Sequence, residues 1–512
     1  MGSRLAQVSS ALDFRYVISS FKMALKRKPL DQNPEFLRAL ALHRGGQLNE
    51  AEALYQQLLQ RYPRHPQIIA NLGVLALQKG QLDQCIQLLE QSLAIQPNQP
   101  EALSNLANAI QYRGDLQEAV ALYERALLLR PSFSEAWSNR GKALVELGRP
   151  QESLESCEKA IAFNPGFADA YGNRGNALKE LGRLEQALQS YDQALVLNPH
   201  SAEPHFNKAL VQLMLGQFES GWRLYEWRWA CAIYAARKRH FEQPQWLGEP
   251  VRDKTVLLYA EQGFGDTIQF CRYVIQLKGL GAEVVLEVPA PLMALMQSLP
   301  AAVTLIQSGD DLPPFDFQCP LMSLPLALGT TLESIPAYEA YLGVDEQRQG
   351  VWCDRLGNSA GLRVGLAWSG STEHVNDMNR SMPMDALVEV FTAPAEFHSL
   401  QANYRQGDRE RLERYGMHDH ADQLSDFAET AALISLLDLV VTVDTAVAHL
   451  AASLGKPVWL MLPFIPDYRW LMNREDSPWY PTMRLFRQER LHDWSGVVGR
   501  IANGLVAWAR ES

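Results

Sequence analysis

The sequence predicts two architectures in one chain, an α-solenoid followed by an α/β region that contains two parallel sheets. The first prediction comes from a 34-residue repeat that runs to about residue 230. A period of this length is typical of solenoids, in which each unit is too small to bury its own apolar face. The second prediction comes from short apolar runs that alternate with helical stretches from Lys254 onward. Such alternation is typical of parallel, doubly wound sheets.

Three residue types mark the repeat. A glycine lies where the first helix of each pair must end and turn, and a proline lies just beyond the second helix, which it cannot continue. The glycines are Gly46, Gly80, Gly114, Gly148, Gly182 and Gly216; the prolines are Pro63, Pro97, Pro131, Pro165 and Pro199; and the asparagines are Asn71, Asn105, Asn139, Asn173 and Asn207. The pattern resembles the tetratricopeptide repeat. We therefore predict a repeat superhelix over residues 32–235, preceded by an amphipathic capping helix over residues 1–31.

The five asparagines are expected to form a ladder along one face of the superhelix. An asparagine side chain offers two donors and an acceptor, enough to hold the backbone of an extended peptide. We predict that the ladder binds an acceptor polypeptide, while the alternative that these residues are solvated or cap local backbone groups stays open. A similar ladder is present in the repeats of protein O-GlcNAc transferases, and this resemblance implies a protein or peptide in the groove.

Composition narrows the class of protein. The formal net charge of −11 makes nucleic acid an improbable partner. No stretch reaches the roughly 18 uncharged apolar residues that a transmembrane helix needs, and charges interrupt the first residues where a secretory signal would lie. The 6 cysteines are far apart and form no CxxC motif. We therefore expect a cytoplasmic protein with no structural zinc, and we leave open whether it forms a homo-oligomer.

The second half contains eight apolar runs that predict strands: TVLLYA, EVVLEV, VTLI, FDFQCPL, RVGLAW, EFHSLQ, LDLVVTV and PVWLML. We predict a linker over residues 236–253, a first lobe over 254–355 and a second lobe over 361–490. A closing helix over 491–512 is expected to cross back to the first lobe. Ligands of open parallel sheets bind at the carboxyl ends of the strands, so the chemistry is expected in the residues that follow each strand.

Gly263, Gly265 and Asp266 follow the first of these strands. The glycines permit close approach of the backbone to a ligand, and Asp266 places a carboxylate in the first turn of a helix. This is not a dinucleotide fingerprint, because the third glycine is missing, and no lysine of a phosphate-binding loop follows. The alternative for Asp266 is that it only caps the helix.

A second cluster follows the LDLVVTV strand. Asp444 and Thr445 end this strand, Ala446 begins a helix, and His449 lies one turn further on. Free N–H groups and the helix dipole make such a helix start a binding site for phosphate. We predict that a diphosphate is held here without a metal.

A third cluster follows the RVGLAW strand and contains Trp368, Ser369, Gly370 and, further on, Arg380. We predict that the first three residues contact a nucleotide-sugar donor and that Arg380 faces negative charge developing on a leaving diphosphate. Gln401, after the EFHSL strand, is predicted to meet the nucleotide base or ribose. For His374, in the same region, a surface position and a functional role are equally favoured.

Together these motifs resemble the GT-B glycosyltransferases, specifically the heptosyltransferase-like family 9. In that family a loop like GFGD supplies the catalytic aspartate, which implies this role for Asp266. A D-T-x-x-x-H motif binds the nucleotide-sugar phosphates, which implies that role for Asp444, Thr445 and His449. The family's cationic residue is matched by Arg380, whereas Ala446 departs from a glycine that the family often has.

The resemblance implies a GT-B fold with two Rossmann-like lobes, the acceptor on the first and the nucleotide-sugar on the second. We therefore predict an inverting glycosyltransferase that needs no metal or other cofactor, with Asp266 as general base. The repeats favour a protein or peptide acceptor, and the catalytic unit favours a glycan or a lipid-linked saccharide. A non-catalytic repeat scaffold with a degenerate transferase module is the third alternative.

Overall fold

The computed structural model describes residues 33–359, 361–373 and 376–511, so the predicted capping helix over residues 1–31 and His374 lie outside the described residues. The chain divides into two compact units. One extends to Lys208 and includes Trp227–Ala236, and the other consists of Ala209–Glu226 and the residues from Arg237 onward. The first is a helical repeat solenoid, and the second is built mainly on parallel sheets.

Helices of 8 to 14 residues follow one another through the repeats. Each predicted turn glycine has a left-handed backbone, with φ between 70° at Gly148 and 101° at Gly114, which confirms the reason for glycine there. The helices are Pro34–Arg44, Leu48–Arg61, Pro66–Gln78, Leu82–Ile95, Pro100–Arg113, Leu116–Leu129, Ser134–Glu146, Pro150–Phe163, Ala168–Glu180, Leu184–Leu197, Ala202–Met214 and Phe218–Tyr225.

Small residues let the two helices of a repeat touch. A Cβ added to Gly175 would lie 2.4 Å from Cε1 of Tyr191, and one added to Gly141 would lie 2.6 Å from Sγ of Cys157. Tyr191 and Cys157 are both fully buried. The aromatic or thiol side chain of the second helix therefore occupies the space that the glycine leaves on the first, and close packing of this kind supplies most of the stability of short helices.

The α/β unit contains two parallel sheets. The strands are β1 Thr255–Tyr259, β2 Glu283–Val288, β3 Thr304–Gln307, β4 Phe317–Pro320, β5 Leu362–Ala367, β6 Ala395–Ser399, β7 Leu439–Val443, β8 Val458–Leu462 and β9 Met483–Arg487. The first sheet has the order β3-β2-β1-β4 and the second the order β6-β5-β7-β8-β9. All eight predicted strands are present, and a ninth, β9, was not predicted.

Helices connect these strands as expected for a doubly wound sheet. Those of seven residues or more are Phe264–Phe270, Tyr273–Gly279, Glu346–Leu356, Asp408–Tyr415, Phe427–Ser435, Ala446–Ser453 and Ser495–Glu511. The prediction that the closing helix crosses back to the first lobe is wrong. Its apolar residues Val497, Ile501 and Leu505 share a core with Trp459 and Phe486 of the second sheet. These residues are four positions apart and therefore lie on one side of the helix, which packs against β8 and β9. The helix thus covers the second sheet, whose last strand it follows.

Histidines cluster at the edge strand β6. His398 is fully buried, and its Nδ1 lies 3.0 Å from Nε2 of His420. Burial, together with the charge that His420 would carry, lowers the pKa of His398 to about 3. Burial and the charge of His418 lower the pKa of His420 to about 4. Both rings are therefore neutral in the folded protein at neutral pH.

This cluster predicts a loss of stability on mild acidification. Unfolded histidines take up protons near pH 6.5, whereas these two stay neutral in the fold until about pH 4 or below, so the free energy of unfolding falls as the pH falls from about 6.5. We expect His398→Phe to lose less stability than the wild type between pH 7 and pH 5, measured by urea unfolding. The matched control is His200→Phe, because His200 is exposed and lies outside the cluster. Equal slopes for the wild type and both variants would contradict this assignment.

Candidate functional site

Two helix starts meet in the α/β unit, one at the carboxyl end of β1 and one at the carboxyl end of β7. The Phe264–Phe270 helix follows β1, and the Ala446–Ser453 helix follows β7. A Cβ added to Gly265 would lie 2.9 Å from Cδ2 of His449 and 3.4 Å from Cα of Ala446. The space that Gly265 leaves open is thus filled by the second helix. The structure thereby brings the first two predicted clusters into contact, and Arg380 of the third cluster bonds to the main chain of Asp444.

Asp266 makes two interactions at this junction. Its Oδ2 accepts a hydrogen bond of 2.8 Å from the backbone N–H of Gly263, which caps the helix, and its Oδ1 forms an ion pair with Arg469. The side chain of Asp266 is 24% exposed. The capping geometry of the alternative interpretation is therefore present, and both carboxylate oxygens have a partner in a side chain that is still partly exposed.

Arg469 is a functional candidate that the sequence analysis missed. The residue is 6% exposed, and its guanidinium also donates to Oε1 of Gln269 at 2.5 Å and to Oδ1 of Asp467 at 2.8 Å. Burial alone would lower its pKa, but the charges of Asp467 and Asp266 outweigh burial and raise the pKa of Arg469 well above its ordinary value. Its position in the segment that follows β8 was the available signal, since ligands bind where strands end.

Asp444 lies at the end of β7 with its side chain only 16% exposed. Burial, and next the charge of Asp467, raise the pKa of Asp444 to about 6, although Arg380 and Arg469 act in the opposite direction. Nη1 of Arg380 donates a hydrogen bond of 2.9 Å to the main-chain carbonyl of Asp444. A Cβ added to Gly370 would lie 2.5 Å from Nη2 of Arg380, so this glycine provides the room for the guanidinium.

His449 is held inside the junction. It is 5% exposed, its Nδ1 lies 2.8 Å from Oη of Tyr480, and its ring stacks on Trp470 with 5.4 Å between ring centroids. Burial, and then the positive charges of Arg469, Arg272 and Arg380, lower the pKa of His449 well below 6.5. His449 is therefore a neutral ring near three arginines. Thr445 precedes it as the N-cap residue and makes no capping bond with its side chain.

The remaining predicted donor contacts lie where β5 and β6 end. Gln401 and Ser369 bond to each other: Nε2 of Gln401 donates to Oγ of Ser369 at 3.0 Å, and the backbone N–H of Ser369 donates to Oε1 of Gln401 at 3.3 Å. Trp368 is fully buried in the core of the second sheet and donates its indole N–H to Asp408 at 3.2 Å. The main chain of Trp368 is therefore the part that remains for contact with a donor, and donor binding by these residues stays a prediction.

Most of the asparagine ladder is engaged within the solenoid. Three of its side chains donate to the preceding repeat: Asn139 to Oδ1 of Asn108 at 3.1 Å, Asn173 to Oγ of Ser138 at 2.9 Å and Asn207 to Oδ1 of Asn176 at 3.0 Å. Asn71 accepts from Gln67 at 3.1 Å, and Asn105 is buried. The ladder thus joins successive repeats, which neither of the two interpretations from the sequence anticipated, and acceptor binding by these residues stays a prediction.

Two features are absent from the described residues, a cluster of metal ligands and a helix that could cross a membrane. No group of three or more histidine, cysteine, aspartate or glutamate side chains is arranged there to hold a metal ion. Among the helices of that same part of the chain, none is both long and apolar enough to cross a membrane.

Models of two known protein families match parts of the chain, one in each half. Models of the tetratricopeptide repeat match residues 42–110, 104–166, 156–189 and 175–216. The model of glycosyltransferase family 9 (heptosyltransferase) matches residues 424–459. The chain therefore contains tetratricopeptide repeats and a segment similar to family 9, and that segment includes Asp444, Thr445, Ala446 and His449. Asp266 and Arg380 lie outside it.

Protein FlbA of Caulobacter vibrioides is 25% identical over 320 residues, which are 57% of this chain and 52% of FlbA. The chain thus spans about half the length of that curated relative. Among solved structures, the crystal structure of MamA has 23% identity over 31% of this chain and 94% of its own, with a TM-score of 0.29. A thermophilic tetratricopeptide repeat protein of Thermus thermophilus has 19% identity over 35% of this chain and 97% of its own, with a TM-score of 0.31.

Proposed function

We propose that the chain is an inverting, metal-independent glycosyltransferase of the GT-B type, which transfers a sugar from a nucleotide-sugar to a protein or peptide held by the repeats. One observation carries the proposal. The segment similar to family 9 contains the Ala446–Ser453 helix, and the start of that helix packs against the GFGD loop through Gly265. A helix start, which can bind phosphate through its free N–H groups, and a carboxylate thereby lie side by side, at the ends of strands of two different sheets.

The chemistry assigns a role to each group. The oxygen of an acceptor hydroxyl forms a bond to the anomeric carbon, the bond from that carbon to the diphosphate oxygen breaks, and the hydroxyl proton passes to Asp266. The backbone N–H groups at Ala446, together with Arg380, stabilise the leaving diphosphate. Nε of Arg380 is buried and makes no hydrogen bond to any described residue, so this guanidinium has one donor without a partner.

A glycan or lipid-linked saccharide is the second candidate for the acceptor. The hydrogen bonds between repeats favour this second candidate, because the side-chain amides of Asn139, Asn173 and Asn207 donate to the preceding repeat and not to a peptide. Asn139 and Asn207 each keep a second N–H, whereas Asn173 also donates to the main-chain carbonyl of Ser138 at 3.3 Å. A peptide acceptor therefore remains our first candidate. Transfer assays with a denatured protein mixture and with lipid-linked oligosaccharides, run in parallel, distinguish the two.

Donor binding provides the direct test of the proposed function. We expect one of UDP, ADP, GDP or CDP to raise the melting temperature, since a ligand at 100 times its Kd adds about 2.7 kcal/mol. Arg380→Met should weaken the affinity for that diphosphate by roughly 10- to 100-fold, the worth of a hydrogen bond to a charged group, measured by calorimetry. The matched control is Arg409→Met, whose side chain is 61% exposed, and it should bind as the wild type does.

Failure of all four diphosphates to stabilise the protein would contradict the proposal. That result would favour the alternative of a repeat scaffold with a degenerate transferase module. Binding that is equally strong in the wild type and in Arg380→Met would keep a nucleotide site but remove Arg380 from it.

A further inference from the structure

We propose that Tyr480 is a positioning residue that fixes His449 in its neutral form with the proton on Nε2, so that Nε2–H is the group offered to the donor diphosphate. The assignment of the proton rests on hydrogen-bond geometry alone. Its use toward a diphosphate rests on the proposed function. Tyr480 belongs to the segment between β8 and β9, to which the sequence analysis assigned no role.

A short chain of hydroxyl groups lies behind His449. Oη of Tyr480 is 2.8 Å from Nδ1 of His449 and 3.5 Å from Oη of Tyr341. The hydroxyl of Tyr341 donates to the carbonyl of Ile268 at 2.9 Å, and it accepts from Nη2 of Arg272 at 3.0 Å. The residues of this hydrogen-bonded series are all buried. The series ends at the guanidinium of Arg272, which can only donate.

Because the guanidinium of Arg272 can only donate, the direction of each hydrogen bond in the series can be assigned. Tyr341 uses its one hydroxyl proton on Ile268, so toward Tyr480 it can only accept. Tyr480 must then place its own proton either on Tyr341 at 3.5 Å, the limit of a hydrogen bond, or on Nδ1 of His449 at 2.8 Å. The shorter contact has the normal length for such a bond. Nδ1 of His449 is therefore the acceptor, and a neutral ring must carry its proton on Nε2.

The other side of the ring gives the same assignment. Nε2 lies 4.0 Å from Oδ1 of Asp444, and a carboxylate favours a donor over a lone pair at that distance. Nε2 also faces Gly265, since a Cβ added there would lie 3.5 Å from it. The N–H thus points toward the junction of the two helix starts. Burial, and then the charges of Arg469, Arg272 and Arg380, lower the pKa of His449 and keep the ring neutral, so His449 acts as a donor without titrating.

The tautomer can be measured without a ligand. We expect long-range ¹H–¹⁵N NMR spectra of the ¹⁵N-histidine-labelled full chain to show His449 in the Nε2–H form from pH 6 to pH 8, its signals identified by their loss in His449→Gln. Tyr480→Phe should give a mixture of both neutral tautomers. The control is Tyr273→Phe, which removes an equally buried hydroxyl that bonds to Thr330 at 2.9 Å, and it should leave the His449 signals unchanged. An Nδ1–H form in the wild type, or an unchanged pure Nε2–H form in Tyr480→Phe, would overturn the proposal.

A pair of amide variants tests the use of Nε2–H. Glutamine places its amide near Nε2 of the replaced histidine, whereas asparagine places it near Nδ1. With the diphosphate that binds best among UDP, ADP, GDP and CDP, we expect His449→Gln to keep the affinity within about threefold and His449→Asn to lose at least about tenfold. A weaker affinity for His449→Gln than for His449→Asn would overturn the proposed use of Nε2–H toward the diphosphate. If none of the four binds, the proposed function fails, and the NMR result alone decides the tautomer.

Discussion

Replacing Asp266 by asparagine is expected to reduce sugar transfer by about 10²- to 10⁴-fold, the range that general base catalysis contributes. Asparagine keeps the size of the side chain and can still accept the hydrogen bond from the backbone of Gly263, but it cannot take up the acceptor proton. The affinity for the nucleoside diphosphate should stay within about twofold, because Asp266 is not assigned to the donor. The measurement is the release of nucleoside diphosphate from a saturating nucleotide-sugar in the presence of acceptor.

The matched control for this variant is Asp467→Asn. Asp467 is the other carboxylate that pairs with Arg469, at 2.8 Å, so its removal changes the charge balance of the site without removing the predicted base. A loss of transfer confined to Asp266→Asn would assign proton transfer to that residue. Equal losses in both variants would assign the effect to Arg469 and its surroundings, and near-full turnover of Asp266→Asn would reduce Asp266 to a helix cap.

The parts of this fold that the sequence predicted are those with a local and periodic signal. Left-handed glycines at a fixed spacing marked each repeat turn, and continuous apolar runs marked eight strands, because buried parallel strands have no polar face. β9 was missed for a related reason. Its sequence, MRLFR, contains two arginines among three apolar residues, as an edge strand can, and is too short and too charged to stand out.

Contacts between residues far apart in the chain could not be predicted in the same way. Asp266 was found as a residue after a strand, but its partner Arg469 lies 203 positions away in a loop without periodicity. The glycine at 265 was expected to admit a ligand, and the structure uses the space for His449. For the asparagine ladder the spacing was correct, but spacing does not tell whether an amide faces a ligand or the neighbouring repeat. Which hydrogen-bond donor pairs with which acceptor can be read only from the three-dimensional structure.

Replacing Arg469 by methionine is expected to lower the free energy of unfolding of the α/β unit by about 3 kcal/mol or more at pH 7. Removing one member of a buried ion pair typically costs about 3–5 kcal/mol, because the other charge stays buried without its partner. Here two carboxylates, Asp266 and Asp467, lose the same cation. The lower end of the range applies, since their side chains are 24% and 34% exposed and water can reach them in part.

The pH dependence of this loss has a definite sign. Without the guanidinium, Asp266 and Asp467 face no partner cation, and the resulting loss of stability is present while both carboxylates are charged. The loss disappears as the carboxylates become protonated at lower pH. The difference in stability between the wild type and Arg469→Met should therefore shrink as the pH falls from 7 toward 4. Urea unfolding followed by tryptophan fluorescence at pH 7, 5.5 and 4.5 measures it.

Three further variants separate the ion pair from other consequences of the change. Arg484→Met removes an exposed partner of Glu475 and should cost less than about 1 kcal/mol. Arg469→Lys keeps the charge but not the planar fork that reaches Gln269, Asp467 and Asp266 together, so its stability should lie between those of the wild type and Arg469→Met. The double variant Arg469→Met with Asp266→Asn should recover part of the lost stability, because it removes one of the two carboxylates left without a cation.

An Arg469→Met protein as stable as the wild type at every pH would mean that water, rather than Arg469, compensates the charge of Asp266. In that case Asp266 would be free to accept a proton without first giving up an ion pair.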